Sequence, residues 1–166
     1  MRIYLTQHGL ALPKDVDPQR PLSDQGREDV RRLAEYLRDT GVRVEQIWHS
    51  GKTRAEQTAA LLADALLPDG RPEARPGLGP NDPVQPLATA IQTWSSDLML
   101  VGHLPFLRHL ADLLLTSEPD PSTLAFEPGS TACLERDAAG QWVLLWVLRP
   151  EQLASEQPLS RPASGS

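Results

Sequence analysis

Gln7-His8 closes an opening apolar segment, Met1 to Thr6, and is followed by Gly9. A second apolar run, Leu98 to Val101, delivers His103 through Gly102 and into Pro105. Between them, Ser50-Gly-Lys-Thr-Arg-Ala-Glu-Gln-Thr-Ala59 places Arg54 in the first turn of an expected helix. An imidazole is a nucleophile and a hydrogen-bond donor near neutral pH, and a guanidinium presents a planar fork of donors that suits a tetrahedral oxyanion. Two imidazoles and one guanidinium meeting at one sheet edge make a kit for moving a phosphoryl group. Singly, each residue has a plainer reading, as a hydrogen-bonded turn histidine or a solvated arginine. Ordinary packing does not ask two glycine-flanked histidines from distant segments to converge with a helix-leading arginine. No His or Cys pair stands at metal-ligand spacing, so a zinc site is not expected. His49 falls beside the group without a clear task, and His109 lies off the apolar stripe of its helix and is assigned to solvent.

The elements that must position these groups alternate between strand and helix. Ser23 is a good N-cap for a helix to about Thr40, with Val30, Leu33, Ala34 and Leu37 along one stripe and Gly41 as its stop. Val42 to Trp48 reads as a strand, and Thr53 to Leu67 as a helix ended by Pro68. The proline- and glycine-dense stretch to Pro86 leaves room for one short strand near Glu73 to Arg75, and a third helix covers Val84 to Trp94. Leu98 to Val101 is a continuous apolar run of the kind covered on both faces. Pro105 fits the first turn of a helix that ends near Thr116. After a polar link from Ser117 to Gly129, Ser130 to Arg136 and Gln141 to Leu148 form a hairpin around Asp137-Ala-Ala-Gly140. The alternation Trp142, Leu144, Trp146, Leu148 against Val143, Leu145, Val147 predicts a last strand buried on both faces. The expected fold is therefore a three-layer α/β/α sandwich on a mostly parallel sheet. Ligands of such sheets collect beyond the strand carboxyl ends, where His8, His49, Ser50 and His103 all fall.

Composition excludes several classes of function. At 166 residues the chain is expected to be one domain over residues 1–153, with a flexible polar tail over 154–166. A net charge of −6 disfavours a broad nucleic-acid surface while leaving room for a local cationic pocket. No apolar run approaches the roughly 20 residues of a membrane span and no signal peptide is evident, so a cytoplasmic location is expected. The lone cysteine, Cys133, reads as a small buried residue on a strand, and the tryptophans of the last strand as core, since no basic residues are interleaved with them.

The opening strand with Gln7-His8-Gly9, the helix start Leu22-Ser-Asp-Gln-Gly-Arg27, Ser50-Gly-Lys-Thr-Arg-Ala-Glu-Gln-Thr58, Val101-Gly-His-Leu-Pro105 and Pro128-Gly-Ser130 together resemble the histidine phosphatase superfamily. The match runs in order over about residues 1 to 150. The short length is similar to the SixA-type phosphohistidine phosphatases, which lack the insertions of phosphoglycerate mutases. The resemblance implies His8 as a nucleophile that carries the phosphoryl group until water removes it, and His103 as a donor to the equatorial oxygens. It implies Arg54 and Gln7 as substrate-binding residues, with no metal and no cofactor.

Gln7 is a departure, because the family carries arginine there in an Arg-His-Gly motif. Losing that charge beside a dianion implies a handicap on the order of 10²–10³ in turnover, which Lys52 or His49 would partly offset. Asp82, within Gly79-Pro-Asn-Asp-Pro83, is the one acid in a plausible stretch for protonating an alkoxide, and it also reads as a turn former. Lack of a clear acid favours a phosphoramidate substrate such as phosphohistidine on a partner protein, whose leaving group needs less help. The alternatives are a weakly catalytic member that binds phosphorylated ligands or proteins, and a small-molecule phosphomonoesterase.

Overall fold

A computed structural model describes residues 1–117 and 124–154. Its element order is β1 (Arg2–Gln7), α1 (Asp24–Asp39), β2 (Gln46–His49), α2 (Thr53–Leu66), β3 (Glu73–Ala74), α3 (Gln85–Gln92), β4 (Leu98–Gly102), α4 (Phe106–Thr116), β5 (Thr131–Arg136) and β6 (Trp142–Leu148). The expected tail lies almost wholly outside the described residues, as does the middle of the link before β5.

Local chemistry accounts for the element ends. The Ser23 Oγ accepts the Gly26 N–H at 3.0 Å and caps α1. Gly41 takes φ +88° just beyond the helix, a conformation that carries no Cβ penalty in glycine. β2 is shorter than its apolar run suggests: it begins at Gln46, while Val42 to Glu45 cross from α1 to the sheet.

The strands order as β3-β2-β4-β1-β5-β6, with β3, β2, β4 and β1 parallel and β5 and β6 forming an antiparallel hairpin against β1. Alternate residues feed two cores. Tyr4, Ile47, Met99, Val101 and Cys133 pack under α1 and α2, while Ile3, Leu5, Leu98, Leu100 and Leu134 pack under α3 and α4. Each fully buried aliphatic side chain contributes about 1.5–3 kcal/mol, so the two layers hold the central strands tightly. Cys133 is a core residue whose thiol burial pushes up to about 11. Register then sets the functional edge. Gln7 pairs with Gly102, and His49 with Val101, so β1, β4 and β2 end nearly level.

β6 departs from the sequence expectation. The β5–β6 register shifts between Cys133 and Leu134, leaving Leu145 as an extra residue between Leu144 and Trp146. That bulge breaks the two-residue alternation. Trp142 joins the α3/α4 core and Trp146 packs against the other one. Val143, Leu144 and Leu145 are exposed, so the strand is not buried on both faces. It is the sheet's outer edge, where α4 touches it as it touches β1.

Candidate active site

Each of the three level strands hands its next residue to one rim: His8 after β1, Ser50 after β2 and His103 after β4. The rings of His8 and His103 lie 5.0 Å apart, tilted by 49°. Arg54, in the first turn of α2, donates from Nε to the His8 Nε2 at 3.4 Å. Ser50 Oγ and His103 Nε2 are 2.6 Å apart.

His8 has a defined tautomer. Its Nδ1 lies 2.7 Å from the Gly9 carbonyl, an acceptor that requires a proton on Nδ1. Nε2 then carries the lone pair, consistent with the Arg54 N–H directed at it. The backbone around His8 is held from four directions. Its own N–H donates to Gly102 O, Gly129 N–H donates to the Gln7 and His8 carbonyls, and Gln7 N–H donates to Ser130 O. Gly9 N–H donates to the Thr58 Oγ1 at 3.0 Å, and that hydroxyl donates to Arg54 O at 2.7 Å. Thr58 is fully buried, so one hydroxyl ties the loop after the histidine to the helix that carries Arg54.

Glycine is required on both sides of that loop. A Cβ on Gly9 would stand 2.8 Å from Val30 Cγ2 and 3.1 Å from Gly26 O, and one on Gly26 would stand 2.0 Å from Leu10 O. Two bare backbones thus touch where the chain leaves the site and passes under the start of α1.

Burial lowers the His8 pKa from 6.5 to about 4 by stripping water from its charged form, Arg54 and Arg20 add to the shift, and the Gly9 carbonyl opposes it. Burial likewise carries His103 down to about 3, reinforced by His8, Arg54, Lys52 and Arg20. Both rings are therefore neutral at rest at pH 7. Above pH 6.5 they are neutral in the folded and the unfolded chain alike. Between 6.5 and about 4 the unfolded chain binds protons that the folded site refuses, so acidification favours unfolding until the folded sites fill near 4 and 3. Urea unfolding is expected to lose on the order of a few kcal/mol between pH 7 and pH 4 through this pair. The double variant His8→Asn/His103→Asn should have a visibly flatter profile; an equally steep one would refute the assignment.

Arg20 escaped the sequence reading. Its positive charge acts on His8, Arg54 and His103 alike, and burial together with Arg20 lowers the Arg54 pKa. Its Nε donates to Leu12 O at 3.1 Å, and its backbone sits at φ +47°, which costs a non-glycine residue about 1–2 kcal/mol. Nothing in its neighbourhood in the sequence marks it, because it reaches the site through a loop of irregular shape. Lys52 also adds positive charge at His103. His49 is buried and its Nδ1 accepts the Gly51 N–H at 3.1 Å, a turn contact that leaves it no evident chemical task. His109 is exposed on α4. The Asp82 carboxylate accepts the Gly79 N–H at 2.7 Å and closes a local turn. Gln7 is buried, and its Oε1 and the His103 Nδ1 have no hydrogen-bond partner among the described residues. Among the described residues no group of three or more His, Cys, Asp or Glu side chains could hold a metal ion.

Fold and rim together define a doubly wound α/β domain whose strand ends gather His8, His103 and Arg54, with Arg20 and Lys52 adding positive charge. A family model described as histidine phosphatase superfamily (branch 1) matches residues 3–79, and the chain belongs to that superfamily. It is 27% identical over 155 residues to the phosphohistidine phosphatase SixA of Escherichia coli, an alignment covering 90% of this chain and 94% of the relative. An uncharacterised protein of Picosynechococcus is 31% identical over 121 residues, covering 69% and 73% of the two chains. Among solved structures, the protein histidine phosphatase SixA complexed with tungstate superposes with a TM-score of 0.80 at 27% identity, covering 92% of this chain and 99% of that one. The phosphoglycerate mutase-like fold is shared at lower identity by an α-ribazole-5′-phosphate phosphatase structure from Escherichia coli, with a TM-score of 0.73. No helix among the described residues is long and apolar enough to cross a membrane.

Proposed function

We propose that the protein is a phosphohistidine phosphatase that acts on a phosphorylated partner protein through a covalent intermediate on His8. The observation that carries this reading is the His8 tautomer: Nδ1–H is held by the Gly9 carbonyl, leaving the Nε2 lone pair beside the Arg54 guanidinium and the His103 ring. In the first step Nε2 forms a bond to phosphorus as the substrate's N–P bond breaks; the departing ring nitrogen takes that electron pair, and a proton on the other nitrogen of the same ring lets the imidazole leave neutral. In the second, water forms the new O–P bond, the Nε2–P bond breaks, and inorganic phosphate leaves. Arg54 supplies a fork of donors to the transferring oxygens, with Arg20 and Lys52 adding positive charge. His103, linked to Ser50, donates to an equatorial oxygen, and an incoming dianion would raise its low pKa toward protonation. Positioning and electrostatics carry this chemistry, so no metal is called on.

The leaving group favours a phosphoramidate. With its carboxylate engaged by Gly79, Asp82 is poorly disposed to protonate an alkoxide, which counts against a small-molecule phosphomonoesterase. The test is to incubate the protein with a phosphohistidine-bearing phosphotransfer domain and, separately, with an aryl phosphate. Faster phosphate release from the domain is expected. Equal or preferential release from the aryl phosphate would overturn the substrate assignment.

Gln7 supports a second reading, a phosphate-binding protein of low turnover. Its buried amide stands where the family resemblance implies an arginine, and its oxygen has no hydrogen-bond partner among the described residues. Replacing Gln7 with arginine should raise kcat/KM on a phosphohistidine substrate about 10–10²-fold, less than a full missing charge because Arg20 and Lys52 already contribute. An unchanged or lower value would show that Gln7 is no handicap.

A further inference from the structure

We infer that β6 is a self-association surface, on which the same edge of a second copy of this chain packs across a two-fold axis. β6 is seven residues long, pairs only with β5 among the described residues, and reads Trp-Val-Leu-Leu-Trp-Val-Leu. Exposed sheet edges invite pairing, and proteins usually protect them with charges, prolines or short strands. Trp142–Leu148 carries no charge and no proline. The protective device that is present, the bulge at Leu145, turns a leucine outward instead of a charge. Val143, Leu144 and Leu145 are 47%, 37% and 41% exposed. Beside the strand runs a groove of about 350 Å³ lined by Tyr36, Val42, Trp146 and Leu148, with Arg2 and Thr40 also lining it.

Two occupants compete for this edge, the chain's own C-terminal segment and a second copy. The segment from Ser155 to Ser166 follows Leu148 by seven residues in the sequence but offers a single large apolar residue, Leu159. It also carries Pro158 and Pro162, which cannot donate to a ladder. A second β6 matches better. Identical strands paired across a two-fold run antiparallel, so the uncharged centre of one meets the uncharged centre of the other, as an isologous interface requires. Since β6 runs parallel to β1, the two active sites would open at opposite ends of the joined sheet, and each would stay accessible.

The test is sedimentation velocity of the full chain over a concentration series reaching about 100 µM. A species of twice the 18.3 kDa chain mass is expected. Val143→Lys and Leu145→Lys, made separately at exposed positions remote from the site, should each raise the dissociation constant about 100-fold or more. Circular dichroism and phosphate release per chain should stay at wild-type values. A chain ending at Ala154 should still dimerise. A wild type that is monomeric throughout, a dimer indifferent to both lysines, or a dimer lost when residues 155–166 are removed would each overturn the inference.

Discussion

Replacing His8 with alanine is expected to lower phosphate release from a phosphohistidine domain by on the order of 10⁴-fold or more, leaving the residual rate that the cationic rim supports by itself. The size of the effect follows from what the side chain would do. Its Nε2 is the atom that would bond to phosphorus, with its lone pair set by the Nδ1–H held at the Gly9 carbonyl, whereas Arg54 and Lys52 are cations and the His103 Nε2 is engaged with Ser50. Mixing the wild type with labelled substrate and quenching in alkali should leave label on the protein, because phosphohistidine survives base and is cleaved by acid. His8→Ala should retain none. A variant that keeps its label or most of its turnover would end the assignment of His8 as nucleophile.

Gly26→Ala is expected to destabilise the fold by roughly 3–5 kcal/mol, although alanine is ordinarily the better helix former by about 1 kcal/mol. The new methyl would stand 2.0 Å from the Leu10 carbonyl oxygen, a backbone atom that cannot rotate away. Leu10 O also accepts the Ser23 N–H at the start of α1, so the helix and the loop after His8 must separate together. A melting temperature lower by about 10 °C is the readout, with weakened phosphate binding beside it because Gly9 and His8 move with Leu10. A melting temperature within a degree or two of wild type would mean that the loop yields easily and does not position His8.

Much of the site could be read from residue types. His8, His103 and Arg54 stand out because glycines and apolar runs flag the strand ends and helix start that carry them. Arg20 could not be found in this way. It sits in an irregular loop at φ +47°, and only the path of that loop brings its charge to bear on both imidazoles. The Thr58 hydroxyl linking Gly9 to Arg54, and the Ser50–His103 contact spanning 53 positions, likewise depend on the register of elements far apart in the chain. The odd residue at position 7 was visible in the sequence, but that its amide is buried with an oxygen unpaired among the described residues was not.

The sequence by itself determined the alternation of strands and helices, the N-cap at Ser23, the stop at Gly41 and the buried stripe of α1, since each depends on residues within about one helical turn of one another. It also determined which side chains could react. Tertiary structure decided which strands are neighbours, that β1, β2 and β4 end level, and which face each helix covers. It decided as well that β6, apolar enough for a core, lies at the edge with a bulge that breaks its alternation. The physical reason is range. Periodicity and capping are local, whereas burial is set by what the rest of the chain places on top, and an apolar strand carries no mark of whether a helix will cover it.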